Sequence, residues 1–206
     1  MKLKVDNYKK YYDEGKGKSF TVEFSPGYTC IVGPNGTGKS TMMKQIEDYC
    51  KKNFNEFKVV KFDNVKEGGS HRFQEFLYTG KIDLIGTISC SSEGEGIIIN
   101  LGEFASKCGQ ATKECREKNK KLVILIDGVD SGTSIDKINN FREYFCDMII
   151  NHCKNSDIEV YIIATANNYA MISNNVDCIS AISGKHRTFK SYKSFESFVM
   201  KYRKEE

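Results

Sequence analysis

One stretch constrains this chain more than any other: Gly33-Pro34-Asn35-Gly36-Thr37-Gly38-Lys39-Ser40. It fits the pattern G-x-x-x-x-G-K-[ST] at every fixed position. The residues before it, Tyr28 to Val32, are β-branched, aromatic and apolar, which predicts a short strand. The residues after it, from Lys39 to about Lys52, predict a helix. A strand, a glycine loop and a helix in that order form an anion cradle. Glycines let successive backbone N–H groups turn inward, and the positive end of the helix faces the same point. The Lys39 ammonium would reach the β- and γ-phosphates of a nucleoside triphosphate, and the Ser40 hydroxyl would ligate Mg²⁺. Gly33 to Ser40, with Thr41 behind them, therefore read as a site for ATP with Mg²⁺.

The rest of the pattern says what surrounds this loop. Leu3 to Tyr8 and Ser19 to Phe24 alternate in the manner of half-buried strands, with a hairpin-like turn at Gly15-Lys16-Gly17. Phe57 to Phe62 predicts another strand, Val65 to Ser70 a loop and Arg72 to Tyr78 a short helix. From Gly96 to about Lys118, Ile97, Leu101, Phe104, Cys108, Ala111 and Cys115 fall on one helical face. Leu122 to Ile126 is a continuous apolar run of the kind buried in a parallel sheet. A helix from about Ile135 to Cys153, a strand from Ile158 to Ala164, a last strand around Val176 to Ile182 and an aromatic helix from Ser191 to Lys204 complete the chain. Strands alternating with helices predict an α/β fold, a mostly parallel sheet with an antiparallel β portion at the N-terminus. With 206 residues and no linker or repeat, a single domain over 1–206 is expected.

The second functional position is Asp127, at the end of the Leu122–Ile126 run. A carboxylate at a strand tip beside the phosphate loop holds Mg²⁺ as a Walker B aspartate does.

Composition excludes several classes. Hydrophobic residues make up 39% and charged residues 28%, ordinary globular values. No run of about 18 apolar residues crosses a membrane, and Met1 to Asp6 lacks the apolar core of a signal peptide. The expected compartment is the cytoplasm. The eight cysteines form no Cys-x-x-Cys pair and no zinc spacing with His71, His152 or His186, so they are expected as reduced, buried thiols. The net charge of +4 is spread along the chain and points to a solvated surface.

The loop sequence Gly-Pro-Asn-Gly-Thr-Gly-Lys-Ser-Thr resembles that of ABC-type ATPases, the class that includes transporter motor domains and the soluble RecF, SMC and OLD-like proteins. Two further stretches resemble the class in the same order. Ser91-Ser92-Glu93-Gly94-Glu95, before the long helix, is similar to its signature sequence. Asp127-Gly128-Val129-Asp130-Ser131-Gly132 is similar to its Walker B stretch. The resemblance implies an ABC-type ATPase core. It also implies a homodimer that sandwiches ATP between one P-loop and the partner's Ser92, Glu93, Gly94 and Glu95. As a nucleotide-driven switch it would act on a nucleic acid or a partner protein, in DNA-related or phage-defence processes.

Against that class the chain departs at three points. The glutamate that follows the Walker B aspartate is replaced by Gly128, which leaves Asp130 as the nearest acid. The late-strand histidine is replaced by Ala166, with Thr165 and Asn167 as polar substitutes. The candidate Mg²⁺-ligating glutamine, Gln74, lies only 18 residues before Ser92, too few for a transporter's helical subdomain or a coiled-coil arm. The resemblance thus implies a minimal form. Asp130, Thr165 and Asn167 are its candidate catalytic residues, and slow hydrolysis or a non-hydrolysing ATP sensor is the expected behaviour. Tyr8, Tyr11 and Tyr12 are candidates to stack on adenine. The arginines at 72, 116, 142, 187 and 203 are scattered, which argues against the arginine-rich lid of a small-molecule kinase.

Overall fold

A computed structural model describes residues 1–8, 11, 17–63, 93–131 and 133–203, with only the backbone described for 93–102, 202 and 203. The predicted loop at Val65–Ser70 and helix at Arg72–Tyr78 lie outside these residues, as do Gln74, Ser91 and Ser92.

Two sheets are present. The strands β1 (Lys2–Asp6) and β2 (Ser19–Glu23) pair antiparallel, Val5 opposite Phe20, as their alternation predicts. The main sheet has six strands. In chain order they are β3 (Gly27–Val32), β4 (Phe57–Asp63), β5 (Lys121–Asp127), β6 (Val160–Ala166), β7 (Asp177–Ser180) and β8 (His186–Arg187). Their order across the sheet is β4-β5-β6-β3-β7-β8. All neighbours are parallel except β8, a two-residue strand, unexpected from the sequence, that pairs antiparallel with β7. The sheet is thus mostly parallel, as expected.

Helices cover both faces. Helix α1 (Lys39–Lys52) follows the glycine loop, α2 (Glu93–Lys118) precedes β5, and α5 (Tyr192–Arg203) closes the chain. The helix expected over 135–153 is broken in register. It consists of α3 (Ile135–Asn140), a π-helical segment at Phe141–Cys146, and α4 (Asp147–Lys154). The inserted residue of a π segment shifts the face of everything after it.

Strand β5 explains why its apolar run is continuous. Leu122, Ile124 and Ile126 pack in the core on one face with Phe104, Cys108, Ala111 and Cys115 of α2. Val123 and Leu125 pack on the other with Met42, Met43 and Ile46 of α1, and with Leu3, Val5, Val22 and Phe24 of the small sheet. A strand sandwiched between two layers has no polar side to alternate with. The small sheet is tied to α1 by two hydrogen bonds: Asp6 N–H donates to Gln45 Oε1 at 2.8 Å, and Gln45 Nε2 donates to the Asp6 carbonyl at 2.9 Å. All seven described cysteines are free and buried, in agreement with the expectation of reduced thiols. Among the described residues no helix is long and apolar enough to cross a membrane.

Candidate functional site

Strand order determines which residues meet. Strand β6 lies between the strand of the glycine loop and the strand that ends in Asp127. Its register sets Thr165 opposite Ile31 and Ala164 opposite Ile126, so the tips of β3, β5 and β6 end side by side. Ligands of parallel α/β sheets bind beyond such carboxyl ends.

The loop at the tip of β3 depends on its glycines. Gly36 and Gly38 adopt positive φ, 83° and 91°, and Gly38 caps the start of α1. At Gly33 an added Cβ would sit 2.5 Å from Thr37 Oγ1, the hydroxyl that donates to the Pro34 carbonyl at 2.8 Å. A side chain there would break the turn. The same test at Gly38 meets the Cβ of Tyr8 at 2.8 Å, so the segment after β1 rests directly on the phosphate loop. Lys39 is 8% exposed, and its ammonium donates to the carbonyls of Gly33 at 2.8 Å and Pro34 at 3.0 Å. Burial lowers its pKa, and the nearby carboxylates Asp130 and Asp127 pull it back up. The ammonium is held across the mouth of the loop by bonds that phosphate oxygens can replace.

A cleft of about 320 Å³ opens over this loop, lined by Asn35, Gly36, Gly38, Lys39, Ser40, Thr41, Asp127, Thr165 and Asn167, with Tyr8 at one side. The structure therefore brings the Walker A residues, Asp127, Thr165 and Asn167 to one place. Thr165 links the strand tips: its hydroxyl donates to Asp127 Oδ1 at 2.9 Å and accepts from Gly128 N–H at 3.0 Å. Ser40 and Asp127 offer hard oxygen donors. That donor set suits Mg²⁺, which takes one or two protein ligands beside phosphate oxygens and water. The two residues would hold the ion where it neutralises developing phosphate charge.

Asp130 stands differently. It is 6% exposed, and both its oxygens are engaged. Oδ2 accepts from the backbone N–H groups of Asn167 at 2.6 Å and Asn168 at 2.7 Å, and Oδ1 accepts from Asn167 Nδ2 at 3.1 Å. Gly128 makes this possible. At φ 74° the chain reverses immediately after Asp127 and delivers Asp130 under the end of β6. The glycine was legible in the sequence as a missing glutamate. Its positive φ, and the inward path of the two residues after it, Val129 and Asp130, were not.

Of the other sequence candidates, Glu93, Gly94 and Glu95 lie in α2, whereas Gln74, Ser92 and Tyr12 lie outside the described residues. Tyr8 lines the cleft, and Tyr11 lies beneath the Lys44 ammonium, 5.8 Å from the ring centre.

A glycine nest at a helix start, an adjacent strand-tip aspartate and polar residues from the strand between them define a P-loop nucleotide-binding protein. Residues 29–183 match the family model described as ATPase family associated with various cellular activities (AAA). The chain belongs to that family. No curated protein matches it. Among solved structures it is similar to Cdc6p from Pyrobaculum aerophilum, at 15% identity and TM-score 0.36 over 73% of this chain and 35% of that one. It is also similar to the ORC2 protein of Aeropyrum pernix, at 8% identity and TM-score 0.34 over 73% and 37%. A third is the ADP conformation of MJ1267, an ATP-binding cassette of an ABC transporter, at 12% identity and TM-score 0.44 over 91% and 89%. The chain thus spans little more than a third of the first two.

Proposed function

We propose that this chain is a Mg-ATP-binding switch with slow hydrolysis. The observation that supports this most directly is how the two acids are used. Asp127 faces the cleft, linked to Thr165, in the place of a metal ligand. Asp130, the only other acid near the loop that the sequence offered to activate water, has both oxygens engaged by N–H donors. The position that would carry a glutamate is Gly128, which has no side chain. Among the described residues, Asp127 is the one carboxylate that lines the cleft, so no second acid stands there as a general base. Thr165 and Asn167 face the γ-phosphate side of the cleft, and Asp130 acts by holding Asn167 there. The non-hydrolysing sensor is the limit of the same reading at zero turnover.

The ABC-type arrangement is the assembly we propose for the ATP-bound form: two copies, the P-loop of each facing Ser92 to Glu95 of the other, with Gln74 completing the Mg²⁺ shell. The likeness of Ser92 to Glu95 to the ABC signature, with Glu93 to Glu95 lying in the long helix before β5, supports it. Opening and closing would act on a nucleic acid or a partner protein in the cytoplasm, in DNA-related or phage-defence processes.

Two measurements test this. Calorimetric titration with ATP and Mg²⁺ is expected to show saturable binding that Lys39→Ala weakens by about 10–100-fold, the loss of charge-assisted hydrogen bonds worth about 1.5–3 kcal/mol. Absence of binding by the unaltered chain would sink the reading. A steady-state assay is expected to give turnover well below the common range of about 1–10³ s⁻¹, and turnover within that range would remove the slow-hydrolysis claim. Light scattering with ATP and Mg²⁺ tests the dimer, and a monomer at high protein concentration would rule it out.

A further inference from the structure

A second cavity, of about 660 Å³, shares Asn167 with the nucleotide cleft. Its floor is the turn that follows β6, with Asn167, Asn168 and Tyr169. Its far wall is α5, with Tyr192, Phe195 and Glu196. The volume lies in the range of about 300–1,000 Å³ typical of small-ligand sites.

The floor is built more firmly than a surface turn requires. Asp130 holds Asn167 and Asn168 from beneath. The Asn168 side chain accepts from Ala170 N–H at 3.0 Å and caps the 3₁₀ turn Tyr169–Ile172. Arg142, from the π-helical segment, donates to the carbonyls of Ala170 at 2.7 Å and Ser173 at 3.0 Å. Two charged groups thus pin the turn from Asn167 to Ser173 at both ends. The wall is aromatic. Tyr169 meets Tyr192 edge-on with ring centres 6.1 Å apart, and Tyr169 lies 6.2 Å from Phe195. Tyr192 is 59% exposed at the rim, and Glu196 is exposed beside it.

Aromatic faces, carboxamides and one carboxylate together suit a flat ring that both stacks and donates along its edge. Carboxamide side chains pair with the amino and ring-nitrogen edge of nucleobases, and bases stack on tyrosine and phenylalanine. We infer that this cavity is a second binding site for an amino-substituted heteroaromatic ring of the nucleobase class, and that its occupancy is linked to the nucleotide cleft through Asn167. The linkage, though not the site itself, rests on the nucleotide reading above. A ring seated on Asn167 alters the side chain that faces the γ-phosphate, and by reciprocity nucleotide alters the affinity for the ring.

The chain contains no tryptophan, so Tyr192→Trp places a single reporter at the rim. Its emission, which reports on the cavity rim, is titrated with adenosine, with cytidine and with a single-stranded oligonucleotide, in a Lys39→Ala background that weakens the hold of the nucleotide cleft on phosphate groups. Saturable quenching is expected, weakened at least tenfold by Phe195→Ala and severalfold by Glu196→Gln. The second variant is a surface change that leaves the core intact. Equal response to nucleoside and oligonucleotide identifies a free ring as the occupant. Response to the oligonucleotide alone, falling steeply with salt, identifies a base within a strand. No saturable quenching by any probe overturns the site, whether or not the unaltered chain binds ATP. With Lys39 restored, adenosine or cytidine at saturation is expected to shift the affinity for a non-hydrolysable ATP analogue by about fivefold or more. An unchanged affinity overturns the linkage and leaves the site standing.

Discussion

Asp130 and Asn167 are joined twice, although 37 positions separate them in the chain: backbone N–H to Oδ2 at 2.6 Å and side-chain amide to Oδ1 at 3.1 Å. A buried carboxylate thereby fixes the end of β6, and with it the side chain shared by the nucleotide cleft and the neighbouring cavity.

Removing that carboxylate should cost stability before it affects chemistry. Asp130→Ala leaves the N–H groups of Asn167 and Asn168 without their acceptor, on the order of 3 kcal/mol. For a domain of this size the thermal midpoint should fall by about 6–12 °C. Asp130→Asn keeps one acceptor and should lose less. Equal midpoints for Asp130→Ala and the unaltered chain would show that the three bonds contribute nothing.

Placing a glutamate at Gly128 should not speed catalysis. Gly128 has φ 74°, a conformation that costs a residue with a side chain about 1–2 kcal/mol. Gly128→Glu is therefore expected to lower the unfolding free energy measured in urea by that amount and to leave ATP turnover no faster than before. A variant that is both stable and faster would show that the turn adapts to an acid.

Thr165 should govern the metal. The residue is 1% exposed, and its hydroxyl orients Asp127 and satisfies Gly128 N–H. Partners of this kind, one bond removed from a metal, change metal affinity by about 10–100-fold. Thr165→Val should raise the Mg²⁺ concentration needed for ATP binding to that extent, measured by titrating Mg²⁺ at fixed ATP. Thr165→Ser, which keeps the hydroxyl, should not.

Alkali should unfold the chain in a defined window. Burial pushes the thiols of Cys30, Cys50 and Cys108 up to about 12 and that of Cys115 to about 11, from an ordinary 9.0. The unfolded chain therefore loses these protons first. Stability is fully present below pH 9, falls from there, and is lost as pH rises through 11 to 12, by about 1.4 kcal/mol per pH unit for each ionised thiol. Urea midpoints from pH 8 to 11 measure the slope. Thiols that react with Ellman's reagent at the same rate in native and unfolded protein would contradict their burial.

The phosphate loop was legible because its chemistry is local. Glycines at fixed spacing, a lysine and a serine at a helix start need no distant partner to be recognised. Helix α2 and strand β5 were legible for the same reason, since periodicity and apolar runs are properties of contiguous residues. The break in the helix after Ile135 was not, because a π segment leaves the residue pattern almost unchanged while it rotates the face that follows. Strand β8 was missed because two exposed residues carry no period.

What the sequence by itself determined is the P-loop, the α/β class and the residue types available to line a cleft over that loop. What only the tertiary structure decided is which of them meet. The insertion of β6 between β3 and β5 sets Thr165 against Asp127. The positive φ at Gly128 turns the chain after Asp127, and Asp130 enters a buried pair of bonds with Asn167. A carboxylate's role depends on whether its lone pairs face solvent or N–H donors, and that is settled by strand order and backbone torsion, not by spacing along the chain.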